Sequence, residues 1–271
     1  SFLSAGLIDL YAGVGIIFGA NIGTTATAWL VAVFGLKIKV SALSMPMIAF
    51  GILFVFQKSK YLKGIGSVLA GLGFFFLGIH FMKQGFDVYQ DNFNLADYAI
   101  SGFSGLIVYS LIGVLITVIL QSSSAAMALI LTALAVGQIT YENSLALAIS
   151  ANIGTTITAI LGAISSNVEG KRLAGAHLIF NVMTGVIALI FIIQLGDLVN
   201  FFSDLIGISA DNYMLKLAIF HTIFNIIGVI VMVPFIGLMV KYLKKLIVDK
   251  EEENENIDYP KFLNQSVLAY P

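Results

Sequence analysis

Apolar residues run through this chain in long uninterrupted stretches, unlike the alternating or one-faced patterns of a soluble fold. No Asp, Glu, Lys or Arg occurs in residues 10–36, 40–57, 65–82, 98–141, 143–168, 173–196 or 217–240. A helix crossing a bilayer needs about 20 apolar residues. Segments 40–57, 65–82, 173–196 and 217–240 therefore each predict one crossing, and the long run 98–141 predicts two. The runs are continuous and lack a period of two, which argues against a β-barrel. The predicted fold class is an all-α integral membrane protein.

Composition agrees. The 271 residues are 59% apolar and 11% charged, with a mean hydropathy of +0.98; a soluble domain carries about 25% charge. A net charge of −1 argues against a nucleic-acid partner. The absence of Cys removes disulfides, thiolate metal sites and a Cys nucleophile. Lys241, Lys244 and Lys245 follow the last span and predict a cytoplasmic C-terminus by the positive-inside tendency. From Asp249 the chain turns acidic, as a solvated linker or tail does.

The strongest motif is a duplication. Asn21-Ile-Gly-Thr-Thr-Ala-Thr-Ala28 returns as Asn152-Ile-Gly-Thr-Thr-Ile-Thr-Ala159, seven of eight identical at an offset of 131. Gln121-Ser122-Ser123-Ser124 precedes the second copy. Its counterpart would fall at 121 − 131 = −10, so the first copy is expected to be incomplete here and the native protein longer. The expected division is 1–62 for the end of repeat one, 63–246 for repeat two and the following helices, and 247–271 for the tail.

Consecutive polar residues inside apolar spans cannot all face one packing surface. They predict helix breaks, with Gly23 and Gly154 supplying backbone freedom in the Asn-Ile-Gly-Thr-Thr segments. Broken helices point N–H groups at an anion and carbonyls at a cation, the site architecture of many secondary transporters. Neutral hydroxyl, amide and carbonyl oxygens suit a weakly bound hard cation such as Na⁺. With no Lys or Arg between Asp87 and Glu169, an anion would be held by backbone N–H groups, hydroxyls and the co-bound cation.

These residues resemble the type II sodium–phosphate cotransporter family. Gln121–Ser124 with Thr117 before it, then Asn152-Ile-Gly-Thr-Thr, resemble its second repeat, and Gly19-Ala-Asn-Ile-Gly-Thr-Thr25 the close of its first. Ala176-His-Leu-Ile-Phe-Asn181 and Phe220-His-Thr-Ile-Phe-Asn225 resemble stretches of its later helices. The resemblance implies an inverted-repeat transporter with re-entrant helices, moving inorganic phosphate with Na⁺ across the cell membrane by alternating access. It implies phosphate ligands at Gln121, Ser122, Ser123, Ser124, Asn21 and Asn152. It implies Na⁺ ligands at Gln121, Ser122, Ser123, Ser124, Thr155, Thr156, Thr158, Thr24 and Thr25. Asn152 would brace the break. Na⁺ is the coupling ion and no further cofactor is expected. Bacterial members of the family often continue into a helical phosphate-signalling domain, to which the acidic tail would lead.

Other readings are weaker. A different small-anion transporter or channel, or a phosphate exporter of the same fold, would share the breaks. An intramembrane serine hydrolase pairing Ser122–Ser124 with His177 or His221 lacks a Gly-x-Ser-x-Gly elbow, and a plain membrane anchor has no need of Gln-Ser-Ser-Ser. The chain is therefore read as a non-enzyme. His177/Asn181 and His221/Asn225, each four residues apart, are expected to make hydrogen bonds within or between helices. His80 is read as structural, Asp9 and Glu142 as caps at loop ends, and Trp29 has no assigned role.

Overall fold

The computed structural model describes residues 2–3, 5–35, 40–90 and 95–248. The acidic tail from Asp249 onward lies outside them. The described residues form ten α-helices: α1 (Leu10–Leu30), α2 (Val40–Val55), α3 (Lys60–Gln90), α4 (Gly102–Leu120), α5 (Ser123–Ala135), α6 (Tyr141–Ala163), α7 (Val168–Ile190), α8 (Ile192–Leu205), α9 (Tyr213–Met232) and α10 (Ile236–Leu246). Six segments are long and apolar enough to cross a membrane: Leu10–Phe34, Lys60–Val88, Gly102–Leu120, Tyr141–Ala163, Val168–Ile190 and Tyr213–Leu246. The chain is a multi-pass membrane protein.

Two predicted crossings come out short. Residues 40–57 form the 16-residue α2, about 24 Å at 1.5 Å per residue, against a hydrocarbon core of about 30 Å. The second half of 98–141 forms only the 13-residue α5.

The duplication extends into backbone geometry. Gly6 and Gly137 both take left-handed φ, 69° and 74°. Around them the same hydrogen bonds recur: Gly6 N–H to Leu3 O and Leu7 N–H to Phe2 O, then Gly137 N–H to Leu134 O and Gln138 N–H to Ala133 O. Asp9 then caps α1 by accepting from Ala12 N–H at 2.7 Å, and Thr140 caps α6 by accepting from Asn143 N–H at 3.2 Å. The capping role expected of Glu142 thus belongs to Thr140, which aligns with Asp9; Glu142 sits in the first turn of α6.

A second duplication, at an offset of 44, relates α7 to α9. Arg172-Leu-Ala-Gly-Ala-His-Leu-Ile-Phe-Asn181 and Lys216-Leu-Ala-Ile-Phe-His-Thr-Ile-Phe-Asn225 share six of ten residues. A short helix follows each, α8 after α7 and α10 after α9. The buried basic residue of each unit ties down the other unit's short helix. Arg172 donates from Nε and Nη2 to Ile247 O at the end of α10, at 2.9 and 2.8 Å, and pairs with Glu169. Lys216 Nζ donates to Asn200 Oδ1 on α8 at 3.0 Å.

Contacts along α7 fix the register of the core. A Cβ on Gly13 would lie 3.1 Å from Leu173, and the rings of Phe18 and Phe180 lie 4.2 Å apart, so α1 and α7 run in the same sense. Gly185 faces Ile149 and Ile153 of α6, and the four residues between α6 and α7 turn the chain back, so α6 and α7 run in opposite senses. The two Asn-Ile-Gly-Thr-Thr copies consequently meet α7 at one level, around Asn181 and Thr184. One apolar cluster packs α5, α6 and α9 around Ala28 and Val31. A second joins the start of α1 to α7, α9 and α10.

Candidate functional site

The hydroxyl-rich segment at 121–124 breaks a helix as its sequence predicts. α4 ends at Gln121, whose φ of 55° and ψ of 22° are left-handed, an arrangement L-residues other than Gly, Asn and Asp rarely adopt. Gln121 N–H donates to Thr117 O at 2.7 Å. Ser122 is extended and caps α5, its hydroxyl accepting from Ala125 N–H at 3.2 Å, while Ser122 O accepts from Ala126 N–H at 2.9 Å. The N–H groups of Ser123 and Ser124 begin α5 and have no carbonyl within that helix to bond. Ser123 is buried, Ser122 and Ser124 are half-buried, and Gln121 is exposed.

Two glycines place this break against α6. A Cβ on Gly113 would overlap Ser150 Oγ and come within 2.8 Å of Leu147 O. One on Gly154 would come within 2.5 Å of Thr117 Cβ and 2.8 Å of Val114 O. Partner numbers rise together, so α4 and α6 run side by side in one sense. α5 joins the end of α4 to the start of α6, so the chain doubles back at Gln121–Ser122. The tip lies one helical turn past the Thr117–Gly154 contact, level with Thr158. The carbonyl end of α4 and the N–H end of α5 therefore meet the α6 face that carries Gly154 and, one turn on, Thr158, without a charged residue in 98–141 or 143–168. Thr156, two residues from Gly154, lies on the far side of α6.

The Asn-Ile-Gly-Thr-Thr segments are a correction to the sequence reading. Neither is a break: α1 and α6 are continuous through them. Their polar groups are satisfied inside the helix. Thr24 and Thr25 hydroxyls donate to Asn21 O and Ile22 O, and Thr155 and Thr156 to Asn152 O and Ile153 O, all at 2.7 Å. This back-bonding removes the need for a break. Gly154 serves close helix approach, and Gly23 is open on the α1 surface. Thr25 and Thr156 are buried; Thr24, Thr155 and Thr158 are half-buried.

The two asparagines differ. Asn152 Nδ2 donates to Asn225 Oδ1 on α9 at 2.9 Å, so it braces α6 to α9. Asn21 Nδ2 turns back to Ile17 O at 2.9 Å. The His/Asn pairs make the expected bonds, Asn225 Nδ2 to His221 O at 2.7 Å and Asn181 Nδ2 to His177 O at 3.0 Å. Trp29, left without a role by the sequence, donates from Nε1 to Thr222 Oγ1 at 2.9 Å. Asn181, His221 and Asn225, all buried, form a polar layer with Asn21 and Asn152 that the 131-residue repeat alone does not reveal. The 44-residue repeat is the signal that finds it.

Beside this layer, a cavity of about 320 Å³ opens between α1, α6 and α7, lined by Ile17, Ala159, Gly162, Ser166, Leu173 and His177 among others. The Gln-Ser-Ser-Ser residues do not line it. Among the described residues no cluster of three His, Asp or Glu forms a metal site.

Comparison with known proteins agrees with the motifs. Residues 1–84 match the sequence model of the Na+/Pi-cotransporter family. The entire chain is 28% identical over 272 residues to YjbB proteins of Salmonella typhimurium and Escherichia coli, each named an inorganic phosphate export protein. The alignment covers 48% of those proteins, so the chain spans about half the length of the curated relatives it matches. It is 29% identical to the uncharacterized protein YqeW of Bacillus subtilis, over 92% of this chain and 77% of that one. No solved structure matches. The likeness to sodium–phosphate cotransporters read from the sequence is thus borne out, by the family match over residues 1–84 and by the similarity of the whole chain to proteins named for phosphate export.

Proposed function

We propose that the chain carries the core of a secondary active transporter that moves inorganic phosphate across the cytoplasmic membrane by alternating access, with Na⁺ as coupling ion. The observation that carries this reading is the hairpin tip at Gln121–Ser124, where two helix ends meet the Gly154 face of α6 in a charge-free setting. The N–H groups of Ser123 and Ser124, at the positive end of α5, suit phosphate oxygens. The last carbonyls of α4, the Gln121 amide and the Thr155 and Thr158 hydroxyls suit Na⁺. Phosphate and Na⁺ held side by side in low dielectric stabilise each other, which couples their movement.

In this reading α1 and α6 are inverted repeats. Support comes from the register: both pack on α7, one along it and one against it. Asn21, Thr24 and Thr25 then serve the same site from the opposite side. The α4–α5 hairpin is re-entrant, in keeping with the 13 residues of α5.

Export is the second reading, favoured by the names of the relatives. Both are tested by ³²P-phosphate flux in proteoliposomes holding the full-length protein, under Na⁺ or K⁺ gradients in each direction. Flux that follows the Na⁺ gradient supports symport, and Na⁺-independent efflux supports export. Absence of phosphate flux from folded protein overturns the proposal.

A further inference from the structure

The two duplications intersect at a pair of asparagine contacts, only one of which is made. Asn152 and Asn21 are equivalent at an offset of 131, and Asn225 and Asn181 at an offset of 44. The Asn152–Asn225 bond joins α6 to α9. Its counterpart, Asn21 to Asn181, would join α1 to α7. The surroundings match: Phe18 packs on Phe180 one turn before Asn21, and the equivalent residues Ile149 and Phe224 lie in one core cluster. Yet Asn21 donates to its own helix. Asn181 Oδ1, in a fully buried side chain, accepts nothing. A buried amide oxygen left unbonded costs about 1–3 kcal/mol, which a state that bonds it would recover.

The unbonded seam is also the open one. The cavity between α1, α6 and α7 begins at Ile17 and His177, one turn from Asn21 and Asn181. Drawing Asn21 onto Asn181 pulls α1 toward α7 and narrows it. From these observations we infer that Asn152–Asn225 and Asn21–Asn181 are the two settings of one amide latch, one bond closing each seam, exchanged as the protein switches sides. The inference rests on the alternating-access reading above. Asn181 and Asn225 are positioning residues, which act on the proposed site through Asn21 and Asn152.

The chain has no cysteine, so Ala159→Cys places a single thiol on the cavity wall. Its labelling by a membrane-impermeant thiosulfonate reads how often the cavity is open, in full-length protein reconstituted in vesicles. Asn225→Leu removes the bond that is made and should lower the ratio of open to closed states about fivefold, the weight of one buried hydrogen bond, and so slow labelling. Asn181→Leu removes the competing bond and should not slow it, and Asn21→Leu should behave like Asn181→Leu. The double variant Asn181→Leu/Asn225→Leu should return toward the parent rate. If Asn225→Leu and Asn181→Leu label alike, the latch is wrong. ³²P-phosphate flux in the same vesicles separates the two ideas. Divergent labelling without flux leaves the latch and removes the transport reading; flux with identical labelling removes the latch alone.

Discussion

Gly23 and Gly154 occupy the same place in two nearly identical octapeptides, yet alanine should act on them with opposite sign. At Gly23 a Cβ meets nothing within 4 Å, so Gly23→Ala adds only helix propensity, worth up to about 1 kcal/mol. At Gly154 the same Cβ lies 2.5 Å from Thr117 Cβ and 2.8 Å from Val114 O. The carbonyl is helix backbone and cannot rotate away, so α4 and α6 must part by several tenths of an ångström. Overpacking of this kind costs about 1–3 kcal/mol, which exceeds the propensity gain. The Thr117 hydroxyl is bonded to Gly113 O at 2.9 Å, which keeps that side chain from swinging clear. Thermal unfolding in detergent should show a higher midpoint for Gly23→Ala and a lower one for Gly154→Ala. Equal shifts of the same sign would refute the register of α4 on α6, and with it the placement of the hairpin tip beside Thr158.

Three further outcomes follow from local geometry. Gln121→Gly removes a left-handed non-glycine residue, whose strain is about 1 kcal/mol; it should stabilise the fold while abolishing phosphate flux, read by unfolding midpoint and ³²P uptake. Ser122→Ala deletes the α5 cap and should cost about 1 kcal/mol, with faster amide exchange at Ala125 and its neighbours. Outside the spans, the Ser209 hydroxyl, together with backbone N–H bonding, holds the exposed Asp211 carboxyl below its ordinary value. That contribution is present above the ordinary carboxylate range and is lost as pH falls through the depressed value. Ser209→Ala should move the Asp211 titration upward in an NMR pH series.

The helical class, the long spans and the break at Gln121–Ser124 were legible because each has a local cause: uncharged runs, and four polar residues in succession. The continuity of α1 and α6 through Asn-Ile-Gly-Thr-Thr was not. Whether Thr24, Thr25, Thr155 and Thr156 break a helix or bond back to it depends on rotamers that composition does not encode. Gly154 reads as a hinge in sequence, and only the neighbour across from it, Thr117, makes it a contact point. Asn225 and Asn181 looked like glue, as Asn225 is, but the difference between the Asn225 Oδ1, bonded to another helix, and the Asn181 Oδ1, bonded to nothing, is purely tertiary. Arg172 and Lys216 could have been aligned in advance, since the 44-residue repeat is visible once the search extends upstream of the His-x-x-Phe-Asn core.

The central claim is that phosphate and Na⁺ meet at the α4–α5 tip beside α6. The most direct measurement is Na⁺-dependent ³²P-phosphate flux in vesicles for Ser123→Ala and Thr155→Ala, one from each side of the site, with Ser209→Ala as a remote control. The account predicts that the first two lose flux, that Thr155→Ala also shifts Na⁺ dependence to higher concentration, and that the control matches the parent. Full flux with unchanged Na⁺ dependence in both site variants would place the transport path elsewhere and contradict the account.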